Sequence, residues 1–514
     1  MRFDFTRRQW LTLIVISIAD FCNAICVALQ APFFPQEAEL KGCSSIEYGL
    51  VFGIFELAVF IVSPFYGAHL NRLGPKLVFN AGILTTATCA ILFGFLDKVD
   101  GHIPFVTLAF TIRIIEALGN AAFLTASFAI IAKEFPNNVA TMFASLETFF
   151  GLGLIVGPML GGVLYSWGGY SLPFAVLGSA LFATAIMCYV TLPKTSDDED
   201  IKPTGQRDFE KNFKRSPKAS MFSLLKIPGV LMAAISIILT SISIGFLQAT
   251  LEPHLRQFGF SPVVLGVIFI INGGVYALTA PGWGWLCDHP TVKPKYITCI
   301  GHLFVVAAFL LIGPAPFFDM PTILWVTIVG LVLHGFGMGS LLVSTFTDSL
   351  GTAISSGLPN SIETYGLVSG MWTSTFALGA FIGPTVSGLL FHLINFRNST
   401  VFIVVLHFIM MAVLLCFLCT CDRYKMEVSV SAGDLLRLDG TLDESVLIGE
   451  KFMIPTTTRQ KSRHYGISVE KSRPPGMNSL IACSSYKNRR SPWSQRTPRY
   501  RPSYGSLDAR FRAT

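Results

Sequence analysis

The sequence predicts an all-α membrane protein, with twelve transmembrane helices arranged as two six-helix bundles. Three observations carry that expectation. Apolar runs of about 20 residues, each enough to cross a hydrocarbon core, recur up to position 421. Only 13% of the 514 residues are charged while 52% are hydrophobic; a soluble chain of this length carries about twice that charge. An apolar block also repeats: Leu152-Gly153-Leu154-Ile155-Val156-Gly157-Pro158-Met159-Leu160-Gly161-Gly162 is echoed by Leu378-Gly379-Ala380-Phe381-Ile382-Gly383-Pro384-Thr385-Val386-Ser387-Gly388. Proline removes a backbone donor and bends a helix, and the glycines let another helix come close.

The runs fall at 9–34, 46–68, 76–96, 104–132, 138–165, 171–192, 227–251, 262–286, 296–313, 321–347, 362–392 and 399–421. The first follows Arg7 and Arg8 as a secretory leader would. It is too long for a leader's apolar core, and Asp20 and Asn23 interrupt it, so it reads as a retained helix. The second holds Gly49, Pro64 and Gly67 and is followed by Asn71 and Arg72. The third begins at Lys76, the fourth contains Arg113 and Glu116, and the fifth carries Glu147 ahead of the first Gly-Pro block. The sixth ends at 192. The seventh carries Gln248, and the eighth repeats the second, with Gly266, Pro281, Gly284 and Asp288 aligning without gaps to Gly49, Pro64, Gly67 and Asn71. The ninth follows Lys293 and Lys295, the tenth holds His334, the eleventh holds Trp372 and the second Gly-Pro block, and the twelfth holds His407. Two repeated blocks in the same order imply two parallel halves related by an axis along the membrane normal.

The domains expected are an N-terminal bundle at 1–192, a cytosolic linker at 193–226, a C-terminal bundle at 227–421 and a disordered cytosolic tail at 422–514. The linker mixes Asp197-Asp198-Glu199-Asp200 with Lys211, Lys214, Arg215 and Lys218, and the tail is polar and basic. Lys and Arg gather on alternate connections: Arg2, Arg7, Arg8, Arg72, Lys76, Lys133, Lys293, Lys295, Arg423 and Lys425 on one side, only Lys41, Lys98, Arg256 and Arg397 on the other. The positive-inside rule therefore places both termini in the cytosol. The sequon Asn398-Ser399-Thr400 falls on the far side, too near the membrane to be used readily. The net charge of +7 belongs to these cytosolic parts and does not imply nucleic-acid binding. The eleven cysteines show no paired or metal-type spacing; those inside the apolar runs read as small packing residues, and no metal or cofactor is expected.

Asp20, Glu56, Arg113, Glu116 and Glu147 lie near the midpoints of helices one, two, four and five. At about 1.5 Å rise per residue they can share one layer near the bilayer centre. Exposing such groups to lipid is costly, so they should face a protein interior or an aqueous cavity. A surplus of carboxylates over the single guanidinium favours a cation, or keeps protons on some acids until a cation displaces them. Proton–cation exchange follows, with Asp20, Glu56, Glu116 and Glu147 as the candidate substrate- and proton-binding groups. Arg113 could as well be tied to Glu116 or Glu147 as a packing pair. Trp372 and Tyr276 are candidates for cation–π contact, and His334 and His407 read as hydrogen-bonded packing residues. Gly157, Pro158, Gly383 and Pro384 are the candidate hinge elements.

Several motifs then suggest a family. Gly67-Ala68-His69-Leu70-Asn71-Arg72-Leu73-Gly74-Pro75-Lys76 resembles the loop motif between helices two and three of the major facilitator superfamily, with Asn71 where Asp is usual. The related acid is Asp288, so one of two expected cytosolic latches is weakened; Asn71, Arg72, Asp288 and Arg113 are the gating residues this implies. Arg113-Ile114-Ile115-Glu116-Ala117-Leu118-Gly119 is similar to the fourth-helix motif, and Gly153 to Gly162 to the fifth-helix motif of the antiporter branches. Leu146-Glu147-Thr148-Phe149-Phe150-Gly151-Leu152-Gly153 continuing to Tyr165, with Asp20, Pro32 and Pro35 in the first helix, resembles the vesicular amine transporters, and their polyamine branch most. That resemblance implies the major facilitator fold and proton-driven loading of organic cations into acidic vesicles. Leu342 and Thr373 stand where the monoamine and acetylcholine branches have acids, and Gln248 near an expected seventh-helix acid, which argues against monoamines.

The function expected is a proton-coupled antiporter moving organic cations, polyamines among them, from cytosol into secretory or synaptic vesicles. Its partners are protons, small organic cations and the lipid bilayer. Asp443, Leu447 and Ile448 fit an acidic dileucine pattern for sorting adaptors. A plasma-membrane drug or metabolite exporter of the same fold, and a non-transporting scaffold or receptor, remain as alternatives. No nucleophile–base or metal-spacing motif points to an enzyme.

Overall fold

The computed structural model describes residues 5–192, 220–260, 262–318 and 321–439. Most of the expected linker, the tail beyond 439 and the pattern at Asp443, Leu447 and Ile448 lie outside the described residues.

Helix α1 (Arg7–Leu40) starts at a capping box: the Gln9 backbone N–H donates to Thr6 Oγ1 at 3.3 Å, and the Thr6 N–H to Gln9 Oε1 at 3.0 Å. Ser44 and Glu47 repeat that device at the start of α2 (Ser45–Leu73). Then come α3 (Pro75–Phe93), α4 (His102–Glu134), α5 (Val139–Gly168) and α6 (Ser171–Thr191). After a one-turn helix at Met221–Leu225, α7 (Pro228–Leu255), α8 (Pro262–Asp288), α9 (Pro294–Ile312) and α10 (Leu324–Ser355) follow. The last stretch, Ile362–Asp439, is two helices joined at Asn395, whose φ of 65° and ψ of 165° break the spiral. Its apolar part alone, Ile362–Thr420, has 59 residues, which as one straight helix would be roughly three times the thickness of a hydrocarbon core. It therefore crosses twice, as α11 (362–394) and α12 (396–439). Twelve crossings result, as expected, and the even count returns both ends of the helical domain to one face, here the terminal face. Large apolar side chains such as Val190, Leu278 and Trp167 stand exposed on the outside, as a lipid-facing surface requires.

The first six helices pack as α1 on α5 and α6, α3 on α4 and α6, and α2 on α4. The last six repeat this, with α9 on α10 and α8 on α10. The duplicated Gly-Pro block turns out to be one seam made twice. A Cβ at Gly153 would lie 2.5 Å from the Phe21 carbonyl oxygen of α1, and one at Gly157 2.8 Å from that of Ile25. In the second half, a Cβ at Gly379 would lie 2.4 Å from the Ile238 oxygen of α7, and one at Gly383 2.9 Å from that of Ile242. Small residues let α5 ride on α1, and α11 on α7, backbone to backbone. Pro158 and Pro384 each sit beside that contact, inside their helices.

The sequon is placed at the first turn of α12. Ser399 and Thr400 are buried, and the Thr400 hydroxyl donates to the Gly313 carbonyl at 3.2 Å.

Gly153→Val should lower the melting temperature of the detergent-purified protein, with a cost of about 1–3 kcal/mol for forcing volume into a closed seam. Gly162, whose Cβ would meet no described atom within 4 Å, provides the control. Gly162→Ala should leave melting unchanged or raise it, since alanine is the better helix former by about 1 kcal/mol.

Candidate functional site

Two helix pairs join the halves, α2 with α11 and α5 with α8. At the terminal face both pairs touch through backbone. A Cβ at Gly67 would lie 2.5 Å from the Gly366 oxygen, and one at Gly284 2.6 Å from the Ala140 oxygen. Midway, the Ser374 hydroxyl donates to the Phe60 carbonyl at 2.7 Å and the Thr148 hydroxyl to the Ala277 carbonyl at 2.9 Å. Farther on the backbones part and side chains bridge them: a Cβ at Gly53 would lie 3.4 Å from the Phe381 ring, and one at Gly273 3.8 Å from the Ile155 side chain. At Gly49 it would meet no described atom within 4 Å. The halves form a wedge, shut at the terminal face and parting toward the other.

Each seam has a latch at its shut end. The Asp288 carboxylate, at the end of α8, accepts from the backbone N–H groups of Ala140 (3.0 Å) and Thr141 (2.8 Å) and from the Thr141 hydroxyl (2.6 Å). Asn138, the residue at the N-cap of α5, makes no side-chain cap bond. Asp288 supplies that cap from the other half, satisfying otherwise unpaired N–H groups at the positive end of the helix. At the α2–α11 seam, Asn71 Nδ2 donates to Glu363 Oε1 at 2.8 Å, and Glu363 stands in the first turn of α11. The amide that departs from the family's usual acid thus finds an acid on the partner helix. Arg72 is exposed, with no ion-pair partner among the described residues.

Above the latches lies a floor of aromatic rings drawn from both halves. Phe143 of α5 stacks on Phe346 of α10 with centroids 4.2 Å apart, and Trp372 of α11 meets Phe128 of α4 and Phe143 edge-on, each at 5.3 Å. All four are buried. Trp372, weighed as a cation–π group, is part of this floor.

The acids lie beyond the floor in two groups, Glu147 about one turn past Phe143 on α5 and Glu116 about three turns past Phe128 on α4. In the first, Glu147 of α5 is buried and accepts a hydrogen bond from the Tyr276 hydroxyl of α8, while Asp20 of α1 is buried within electrostatic reach of both. Asp20 Oδ1 has no hydrogen-bond partner among the described residues. Tyr276, a cation–π candidate from sequence, thus serves as a donor to the acid and ties it across the two halves. In the second group, Arg113 Nη1 donates to Glu116 Oε2 at 3.1 Å, and its guanidinium lies 4.2 Å from the Phe55 ring centroid of α2. Gln30 Nε2 donates to both Glu116 oxygens at 2.8 and 2.9 Å. Glu116 is therefore taken up by Arg113 and Gln30. Glu56, next to Phe55, is half-buried near Arg113 and has no hydrogen-bond or ion-pair partner among the described residues.

Several residues in this region were not singled out from the sequence. Gln30, and the Asn23–Asn120 bond at 2.9 Å that also ties α1 to α4, carried no motif. Lys295 and Asp348 form a part-buried ion pair at 2.5 Å near the terminal face. His334 and His407 are hydrogen-bonded, as read. His334 lies 3.0 Å from Ser243 Oγ and 3.1 Å from Asn272 Oδ1. His407 Nε2 lies 3.2 Å from the Leu239 carbonyl, which can only accept, so a neutral His407 offers Nδ1 to the N–H of His302 Nδ1, 2.9 Å away.

A twelve-helix bundle shut at one face, with buried acids at its centre and small-residue seams between its halves, is the architecture of a membrane transporter. Residues 16–358 match the Major Facilitator Superfamily, and the chain belongs to that family. It is 35% identical over 393 residues to the human MFS-type transporter SLC18B1, covering 76% of this chain and 82% of that protein. The chromaffin granule amine transporter of Rattus norvegicus is 25% identical over 406 residues, 76% of this chain and 70% of its own length. The human synaptic vesicular amine transporter is 24% identical over 367 residues, 68% and 63% respectively. Among solved structures, the human organic anion transporter MFSD10 (TETRAN) superposes with a TM-score of 0.62 at 20% identity, over 79% of this chain and 99% of that one, a likeness of fold. These relatives are membrane transporters rather than enzymes.

Asp288→Ala should loosen the shut face by about 1–2 kcal/mol, the usual worth of a helix cap. The neighbouring Cys287, buried in the wild type, reports it: peptide-mapped alkylation of Cys287 should accelerate roughly tenfold, and Glu363→Ala should act in the same direction.

Proposed function

We propose that the chain is a proton-coupled antiporter that moves organic cations, polyamines in particular, from the cytosol into acidic vesicles by alternating access. The observation that carries this reading is the unpaired state of the central acids. Asp20 and Glu147 are buried together with a tyrosine hydroxyl from the other half beside them, and Glu56 has no hydrogen-bond or ion-pair partner among the described residues. Two carboxyl groups in one low-dielectric site do not both stay charged unless a cation joins them. A cation entering displaces their protons, and protons entering displace the cation. One site thus serves both cargoes in turn, which couples their opposite movements.

Two acid groups instead of one favour an elongated cargo with more than one ammonium. One amine meets Asp20 and Glu147, and another meets Glu56, where Phe52 and Phe55 add ring faces. Glu116 holds Arg113 in place beside Glu56. The relatives named as amine transporters support an amine cargo and a vesicular membrane. With both termini in the cytosol, as the lysine and arginine distribution suggests, the wedge opens to the vesicle lumen. The moving bodies are then the units 1–192 and 227–421, joined by 193–226, with 422–514 as a cytosolic tail. Gly157-Pro158 and Gly383-Pro384 flex where α5 and α11 ride on α1 and α7. Sorting through Asp443, Leu447 and Ile448 completes the proposal.

Purified protein in proteoliposomes with an acid interior should accumulate spermine or spermidine, and collapsing the pH gradient should stop it. Asp20→Asn, Glu56→Gln and Glu147→Gln should each lower gradient-driven uptake at least about tenfold, the loss of roughly 1.4 kcal/mol of coupling. Gradient-independent uptake of the same size, or full uptake in all three variants, would falsify the mechanism.

A further inference from the structure

We infer that Cys43, Glu47 and His102 form a metal site of the zinc type on the face opposite the termini, linking the α1–α2 turn to the start of α4. One ligand atom from each residue lies within 4.8 Å of the other two. The three come from separate pieces of chain: Cys43 from the turn after α1, Glu47 from the first turn of α2, His102 from the first position of α4. Each is held in place. The Cys43 N–H donates to the Ala38 carbonyl at 2.9 Å, and the residue is buried. Glu47 Oε2 accepts from the Ser44 N–H at 2.7 Å and from its hydroxyl at 2.9 Å, which leaves Oε1 presented to the His102 ring. His102 Nε2 is 2.9 Å from that oxygen. Gly42, with φ of +82°, makes the turn, and a Cβ there would come within 3.9 Å of His102 Nδ1. Glu47 and His102 keep about a third or more of their side-chain surface open, so an ion has a way in.

The donor set selects the metal. Thiolate, imidazole and carboxylate at about 2.0–2.3 Å are zinc ligands, and three protein ligands leave a fourth position for water. Calcium and magnesium take oxygen donors and gain little from a thiol or a ring nitrogen. A modest inward rotation of the three side chains closes the 4.8 Å span to bonding distance. On binding, the Cys43 thiol gives its proton to solvent; the imidazole stays neutral, its proton on the ring nitrogen the metal does not take. The ion replaces the His102–Glu47 contact and pins the rim of α1, α2 and α4 without touching Asp20, Glu56 or Glu147. The site was missed in the sequence because its ligands are 4 and 55 residues apart in no recognised spacing.

Full-length protein in detergent tests it. Zn²⁺ should slow the peptide-mapped alkylation of Cys43 at least tenfold, Mg²⁺ should not, and Co²⁺ should give a thiolate-to-metal charge-transfer band that Cys43→Ser abolishes. Glu47→Gln and His102→Ala should each reduce the Zn²⁺ protection; of the two, the variant that keeps wild-type melting decides. Equal alkylation of Cys43 with and without Zn²⁺, or protection that survives in a well-folded variant, overturns the site.

Discussion

Two pairs of helix backbones touch at one face of the molecule, Gly67 against Gly366 and Gly370, and Gly284 against Ala140 and Thr141. Side chains larger than hydrogen at those glycines would hold the halves apart, and the aromatic floor of Phe128, Phe143, Phe346 and Trp372 could not meet. The hydrogen-bonded latches are secondary to this contact, since Asp288 reaches the N–H groups of α5 only because α8 already lies against that helix. Closure at one end is thus a steric fact first and an electrostatic one second. The wedge that widens from Gly53 to Gly49, and from Gly151 to Gly273, follows from pinning two straight bodies at one edge.

That geometry sets the chemistry of the centre. A charged carboxyl facing lipid is costly, and one sealed between packed helices without a partner is costlier still. Asp20 and Glu147 are buried, Asp20 Oδ1 unpaired among the described residues and Glu147 held by the Tyr276 hydroxyl, while Glu56 is half-buried. Arg113 and Glu116 lie among α1, α2 and α4, where the pair and Gln30 satisfy one another. In the proposed reading, Asp20, Glu147 and Glu56 are the groups whose charge a bound cation or proton changes. The second half instead buries neutral donors and acceptors that satisfy one another, the histidine, serine and asparagine contacts of α7 to α10 and α12.

Much of this could be read from residue order. Run length and hydropathy set the twelve crossings, and the gap-free recurrence of Gly-Pro blocks carried the internal symmetry. Charged residues inside apolar runs are rare enough that five of the central groups stood out by position alone. What could not be read was partnership. Nothing in Glu363 marks it as the acid that Asn71 would find, because the two are 292 residues apart. Gln30 and Tyr276 belong to types that pack unremarkably in most membrane helices, and only the close approach of α1 to α4, and of α8 to α5, turns them into donors for Glu116 and Glu147. Glu116 looked like its neighbours in sequence for the same reason, since the one amide that occupies it lies on another helix.

The internal prolines bind these two scales together. Pro64, Pro158, Pro281 and Pro384 lie inside α2, α5, α8 and α11, the four helices of the two principal seams between the halves. A proline leaves one carbonyl of the preceding turn without its helical donor and lowers the resistance to bending there. Each inter-half helix can therefore bend between its glycine-lined end at the terminal face and its freer opposite end. The acids Glu56 and Glu147 sit on two of these helices, between the terminal-face contact and the widening gap. Bending that shuts the wide end would bring α8 and α11 toward Glu147 and Glu56 while Asp20 stays fixed on its own glycine seam. In the proposed cycle, a cation held between them neutralises the approach and permits that closure. Bare charges oppose it, and protons permit it on the return.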